Sequence, residues 1–154
     1  MKTVAALVRH VKCSRHSFCT VKQLLKKIHF SCSGSSSFEA RDITNHCQDI
    51  LKILQQAVSL SERVTPVKLV DAWNGKGQAS LRVREVKSPD LSREDCERVI
   101  VHLLLEGVLR EDFHFTPYST ISYVLPGSKA RVVQSGAKRI FMNLRTNSCQ
   151  KKVS

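Results

Sequence analysis

Between Ser92 and Gly107 the chain encodes one helix with both ends marked. Ser92-Arg93-Glu94-Asp95 has the form of a capping box, in which side chains satisfy the orphan N–H groups of a first turn. Cys96, Val99, Ile100, Leu103 and Leu104 then recur at helical spacing, and Gly107 is the stop. Two strands follow at once, Leu109 to Phe115 and Thr120 to Leu125. The linker Thr116-Pro117-Tyr118-Ser119 is short enough for a hairpin, and Pro126-Gly127 closes it. A helix that runs straight into a hairpin must bury its apolar face on other helices, while the hairpin projects as an arm.

The other helices lie upstream. Ile43, Cys47, Ile50, Leu51, Leu54, Ala57 and Val58 make a continuous helical stripe, with Thr44 as its expected N-cap and an end near Leu60. Thr65-Pro66 opens a second helix, since proline at the first position lacks only an N–H that would be unpaired anyway. Val67, Leu69, Val70 and Trp73 form its apolar side, and Asn74-Gly75-Lys76-Gly77 ends it. Leu81 and Val83 alternate with Arg82 and Arg84, so residues 80–86 read as a half-buried strand. Lys129 to Gln134 read as a helical turn and Arg139 to Arg145 as a last strand. The order helix, helix, strand, helix, strand, strand predicts an α+β fold of winged helix-turn-helix type: three helices, a small antiparallel sheet and a wing hairpin.

Charge divides the chain. The net charge of the 154 residues is +12, and residues 1–38 hold seven Lys or Arg and no Asp or Glu. A surplus of this size attracts polyanions, because each neutralised phosphate releases counterions. Residues 1–37 form a basic, Ser-rich, largely irregular segment ending in Ser33-Gly34-Ser35-Ser36-Ser37, which reads as a flexible linker. Val21 to Phe30 suit one short amphipathic helix. The composition also resembles a mitochondrial transit peptide. Residues 38–145 form the folded domain, and residues 146–154 a polar tail. No apolar run reaches the roughly 18 residues of a membrane span. Of the six cysteines, Cys47 and Cys96 fall on apolar helix positions and read as small core residues. No secretory signal is evident, so a reducing compartment is expected.

Four segments carry a resemblance: Phe38-Glu39-Ala40-Arg41-Asp42-Ile43-Thr44, then Leu69 to Gly77, then Arg93-Glu94-Asp95, and above all the run from Arg110 to Tyr123 through the hairpin. They resemble the RecQ C-terminal (RQC) winged helix of RecQ-family DNA helicases. The resemblance implies a module that grips duplex or forked DNA ahead of an ATP-driven motor moving 3′ to 5′, and hence a nuclear address, with the mitochondrion as the alternative. It also implies that the aromatic residue at the hairpin tip, here Tyr118, stacks on the terminal base pair and helps to split it. Stacking of this kind is worth about 1–3 kcal/mol per base. The chain departs from the family in two ways. It has no G-x-x-x-x-G-K-[ST] phosphate loop, so ATP and Mg²⁺ belong to the full family enzyme and no helicase activity is expected from this chain alone. The family's four zinc-binding cysteines, placed just upstream, are not matched in residues 1–37.

Other candidate sites come from the residues themselves. Lys76, Arg82, Arg84 and Lys87, with the backbone N–H groups of Gly75 and Gly77, could line a phosphate-binding surface; a solvated charged edge is the alternative. Arg93, at a helix start, is placed to reach a phosphate. The same helix carries Glu94, Asp95, Glu97 and Glu106, which would repel phosphates in a major groove, so backbone and shape recognition is expected. Cys13-x-x-His16 and His29-x-x-Cys32 have spacings that suit zinc, with Cys19 spare; scattered ligands in an irregular segment are the alternative. His46, His102 and His114 lack a matching nucleophile and read as structural. The competing functions are a DNA module of helicase descent, a protein-interaction winged helix or regulator of the full-length helicase, and a basic organellar protein.

Overall fold

The computed structural model describes residues 38–145. The expectations for residues 1–37 and 146–154, including the short helix at 21–30, the transit-like segment, the zinc set and the polar tail, lie outside the described residues.

Strand β1 (Phe38–Asp42) leads into helix α1 (Thr44–Ser59), followed by α2 (Pro66–Trp73) and α3 (Arg93–Glu106). The hairpin β2 (Leu109–Phe115) and β3 (Thr120–Pro126) comes next, then the short α4 (Ala130–Gln134) and β4 (Phe141–Arg145). There are two antiparallel two-stranded sheets among the described residues. β2 pairs with β3, and β1 pairs with β4, Phe38 facing Arg145 and Asp42 facing Phe141. No helix among the described residues is long and apolar enough to cross a membrane.

The caps explain the helix limits. Thr65 accepts a hydrogen bond from Lys68 N–H, and Pro66 opens α2. Ser92 Oγ accepts from Asp95 N–H at 3.1 Å and donates to Asp95 Oδ2 at 2.8 Å, so the cap reaches α3 from both sides. Gly107 closes α3 at φ +78°, a left-handed conformation that glycine adopts without strain. The start of α1 differs from the expected cap. Thr44 is its first helical residue, and the side chain of Asp42 takes both the Thr44 N–H and its hydroxyl proton. The Thr44 hydroxyl then accepts from Ile140 N–H, tying β4 to the start of α1.

The core is built largely from the expected stripes, although Val67, expected on the apolar side of α2, is exposed. Cys47, Ile50, Leu51, Leu54, Leu69, Val70, Trp73, Cys96, Val99, Ile100 and Leu103 are all buried. Helix α1 packs against α2, α4 and β3, which buries Ile53 off the stripe, while Val58 stays exposed past the contact. Burial pushes the Cys47 thiol up to about 12, so it is an inert core residue.

Residues 80–86 do not form the expected strand. Ala79–Leu81 make a 3-10 turn, and the chain then runs irregularly to Ser92. No described strand lies beside this segment to complete a ladder, so its N–H groups close locally: Leu81 to Gln78, Arg82 to Ala79, Val86 to Val83. Leu81 is buried, and Val83, Val86 and Leu91 pack on the core as pins. The alternation of apolar and basic residues is therefore a loop pinned at intervals.

Candidate nucleic-acid interface

The wing tip is a closed turn. Thr116 N–H donates to Ser119 O at 2.8 Å, and Thr116 Oγ donates to the same oxygen at 2.7 Å. Ser119 N–H donates back to Thr116 Oγ at 3.0 Å. Proline suits the second position of such a turn because its φ is already set. These bonds hold Tyr118 clear of the domain, 97% exposed. Phe113 and Phe115 share one face of β2, and exposure rises along the arm from 36% to 70% to the full exposure of the tip. Only Tyr118 was singled out from the sequence; the alternating Phe113 and Phe115 were the signal for the aromatic row behind it.

The root of the wing is fixed to the helical body. Val124 N–H bonds Val64 O in the loop before α2, at 2.8 Å. Gly127 N–H bonds Val108 O at 2.8 Å, with the backbones so close that a side-chain carbon at Gly127 would run into the carbonyl oxygen of Gly107. Ser122 is buried and donates to Glu111 Oε1 across the hairpin.

The loop after α2 presents the expected cations. Lys76, Arg82, Arg84 and Lys87 are all exposed, as are Gly75 and Gly77. Arg82 donates to Gly77 O at 2.8 Å, which folds the side chain back over the glycine turn. Gly75 and Gly77 adopt φ of +69° and +73°. Lys76, Arg82, Arg84 and Lys87 meet no carboxylate within 4.0 Å among the described residues.

Arg93 is placed differently. Its Nη1 lies 2.8 Å from Asp71 Oδ1, and its Nε lies 3.6 Å from Glu97. The Asp71 hydrogen bond is the main reason that its guanidinium holds its proton more tightly than usual. The carboxylates of α3 are likewise met by cations: Asp95 by Arg98, Glu94 by Arg145 and Glu106 by Lys138. The surface of α3 thus carries little surplus of either sign. Among the histidines, His46 stacks edge-on against Trp73 at 5.5 Å, His102 is half-buried on α3, and His114 is exposed on the wing. No cluster of three or more metal-ligating side chains exists among the described residues. Cys13, His16, His29 and Cys32 lie outside them.

A helical core whose last long helix runs directly into a projecting hairpin defines a winged helix-turn-helix protein. Within that class, this chain belongs to the RQC domain family, whose model matches residues 37–151. It is similar to proteins named ATP-dependent DNA helicase Q1. The similarity is 46% identity over 118 residues in Mus musculus, covering 77% of this chain and 18% of that protein. In Pongo abelii it is 48% over 120 residues, 78% of this chain and 18% of the relative. A putative helicase Q1 of Caenorhabditis elegans is 40% identical over 103 residues, 64% of this chain and 15% of its own length. The chain therefore spans under a fifth of the length of these curated relatives.

Proposed function

We propose that this chain is a duplex- and fork-binding module of a RecQ-type 3′–5′ DNA helicase, acting in the nucleus in replication, repair and recombination. The exposed cations Lys76, Arg82, Arg84 and Lys87, with the N–H groups of Gly75 and Gly77, take phosphates of the duplex. Tyr118 stacks on the terminal base pair at the strand junction. Arg93 contributes to the field around the loop, with its Nη1 and Nε already turned to Asp71 and Glu97. The near-neutral surface of α3 supports backbone and shape recognition over base reading. The observation that carries this reading is Tyr118 itself: a fully exposed aromatic side chain, held by a hydrogen-bonded turn, that no core requires.

The test is fluorescence anisotropy with a labelled forked duplex, comparing the chain with Tyr118→Ala across a salt series. The expected result is binding that weakens with salt, and a mutant that loses about tenfold in its preference for fork over blunt duplex, as one lost stacking contact dictates. Absence of binding at low salt, with the fold intact, would overturn the reading. The exposed Phe113 and Phe115 favour a second reading in that event: a wing that docks a protein, such as a partner of the full-length helicase.

A further inference from the structure

The four prolines of the chain include three that follow a hydroxyl residue: Thr65-Pro66, Ser88-Pro89 and Thr116-Pro117. The structure separates them. The Thr65 hydroxyl caps α2 by accepting from Lys68 N–H. The Thr116 hydroxyl is spent on the wing turn, donating to Ser119 O and accepting from Ser119 N–H. Ser88 is exposed, sits in the irregular stretch between Val86 and Ser92, and its hydroxyl has no hydrogen-bond partner among the described residues. The residue before a proline is biased to extended backbone, the form in which a protein kinase takes a peptide. Val86 and Leu91 pin the loop on either side, so Ser88 is held at the surface.

From this we infer that Ser88 is a phosphoacceptor for a proline-directed protein kinase, and that its phosphate weakens DNA binding by the loop. The first half stands on the Ser88-Pro89 sequence and its exposed, unpartnered hydroxyl; the second rests on the DNA reading above. In the transfer, Ser88 Oγ forms a bond to the γ-phosphorus of Mg-ATP, the bond to the bridging β–γ oxygen breaks, ADP leaves, and the kinase's base takes the hydroxyl proton. The product carries a charge of about −1.5 to −2 at neutral pH. Between Asn74 and Ser92 the loop holds Lys76, Arg82, Arg84 and Lys87 against Glu85 and Asp90. One phosphate therefore cancels the local surplus. It is carried on the same loop as Lys76, Arg82, Arg84 and Lys87, where it competes with DNA phosphates for the same cations.

The full chain, incubated with a purified kinase of the cyclin-dependent class and Mg-ATP, should take up one phosphoryl group, mapped to Ser88 by mass spectrometry. Ser88→Ala and Pro89→Ala should abolish uptake, while Thr65→Ala and Thr116→Ala retain it. On the forked duplex, at about 100 mM salt, the phosphorylated chain should bind more than tenfold more weakly, with a salt slope shallower by about two, as the loss of two effective charges requires. No phosphate at Ser88, or a phosphate placed on Thr65 or Thr116 instead, overturns the acceptor site. Phosphate at Ser88 with unchanged fork affinity overturns the switch. If the unmodified chain does not bind the fork, the DNA reading and the switch fail together, and the acceptor site stands or falls on the mapping.

Discussion

His46 packs edge-on against Trp73 and is half-buried, and this burial is the main reason its imidazole is less basic than usual. The nearby Asp49 opposes that shift, and Arg41 adds to it. In the unfolded chain the ring regains its ordinary value of about 6.5. Below that pH the unfolded state binds more protons than the folded one, so the contribution of His46 is complete above about pH 6.5 and is lost as pH falls toward the folded value. Asp42, held low chiefly by its hydrogen bond from the Thr44 hydroxyl, acts in a more acidic window, below about pH 4. Urea midpoints at pH 7.5 and 5.5 should therefore converge in His46→Gln relative to the parent chain. An equal fall in both proteins would assign the pH response to other groups. From the sequence His46 reads as structural; in the fold its ring packs on Trp73. The sequence could not give the direction of the shift, because that depends on how far folding buries the ring.

Among the elements, the hairpin and the end of α3 form one joint. Gly107 ends the helix, Val108 accepts the Gly127 N–H, and Lys129 N–H bonds Gly107 O. A methyl group at Gly127 has no room beside the Gly107 and Val108 backbone, whereas one at Gly136 meets nothing within 4 Å and suffers only from its positive φ. Gly127→Ala is expected to destabilise the domain by about 2–3 kcal/mol, as overpacking against backbone does. Gly136→Ala should be milder, at about 1 kcal/mol, the usual strain of a side chain at left-handed φ. Urea unfolding distinguishes them, and equal losses would argue against the joint. Helix and hairpin limits could be read from the chain because caps, periodicity and turn residues act within a few positions. Residues 80–86 misled that reading, since a pinned loop and a half-buried strand produce the same alternation. Strand β1 carries only a short alternation, Phe38 and Ala40 against Glu39 and Arg41, and it is extended because β4 lies beside it.

At the scale of the molecule, charge has to be counted after folding. Arg84 and Arg93 are equal cations in the sequence. In the fold Arg84 meets no carboxylate within 4.0 Å among the described residues, whereas Arg93 lies against Asp71 and Glu97. If the loop takes phosphates, Arg84→Ala should reduce the salt slope of fork binding by about 0.9, the value for one phosphate contact. Arg93→Ala should change the slope by less than half of that. Equal effects in anisotropy titrations would mean that Arg93 leaves its carboxylates on DNA. By itself the sequence determined three helices, the caps of two of them, a hairpin with Tyr118 at its tip and a run of basic residues after α2, because each of these is written in short-range spacing. Only the tertiary structure decided the β1–β4 pairing, the hook from Ile140 to Thr44 across 96 residues, and which cations are already neutralised. It also decided which of the three hydroxyls before proline is left without a partner. Those outcomes depend on groups far apart in the chain, brought within hydrogen-bonding or Coulomb range by burial of a common core.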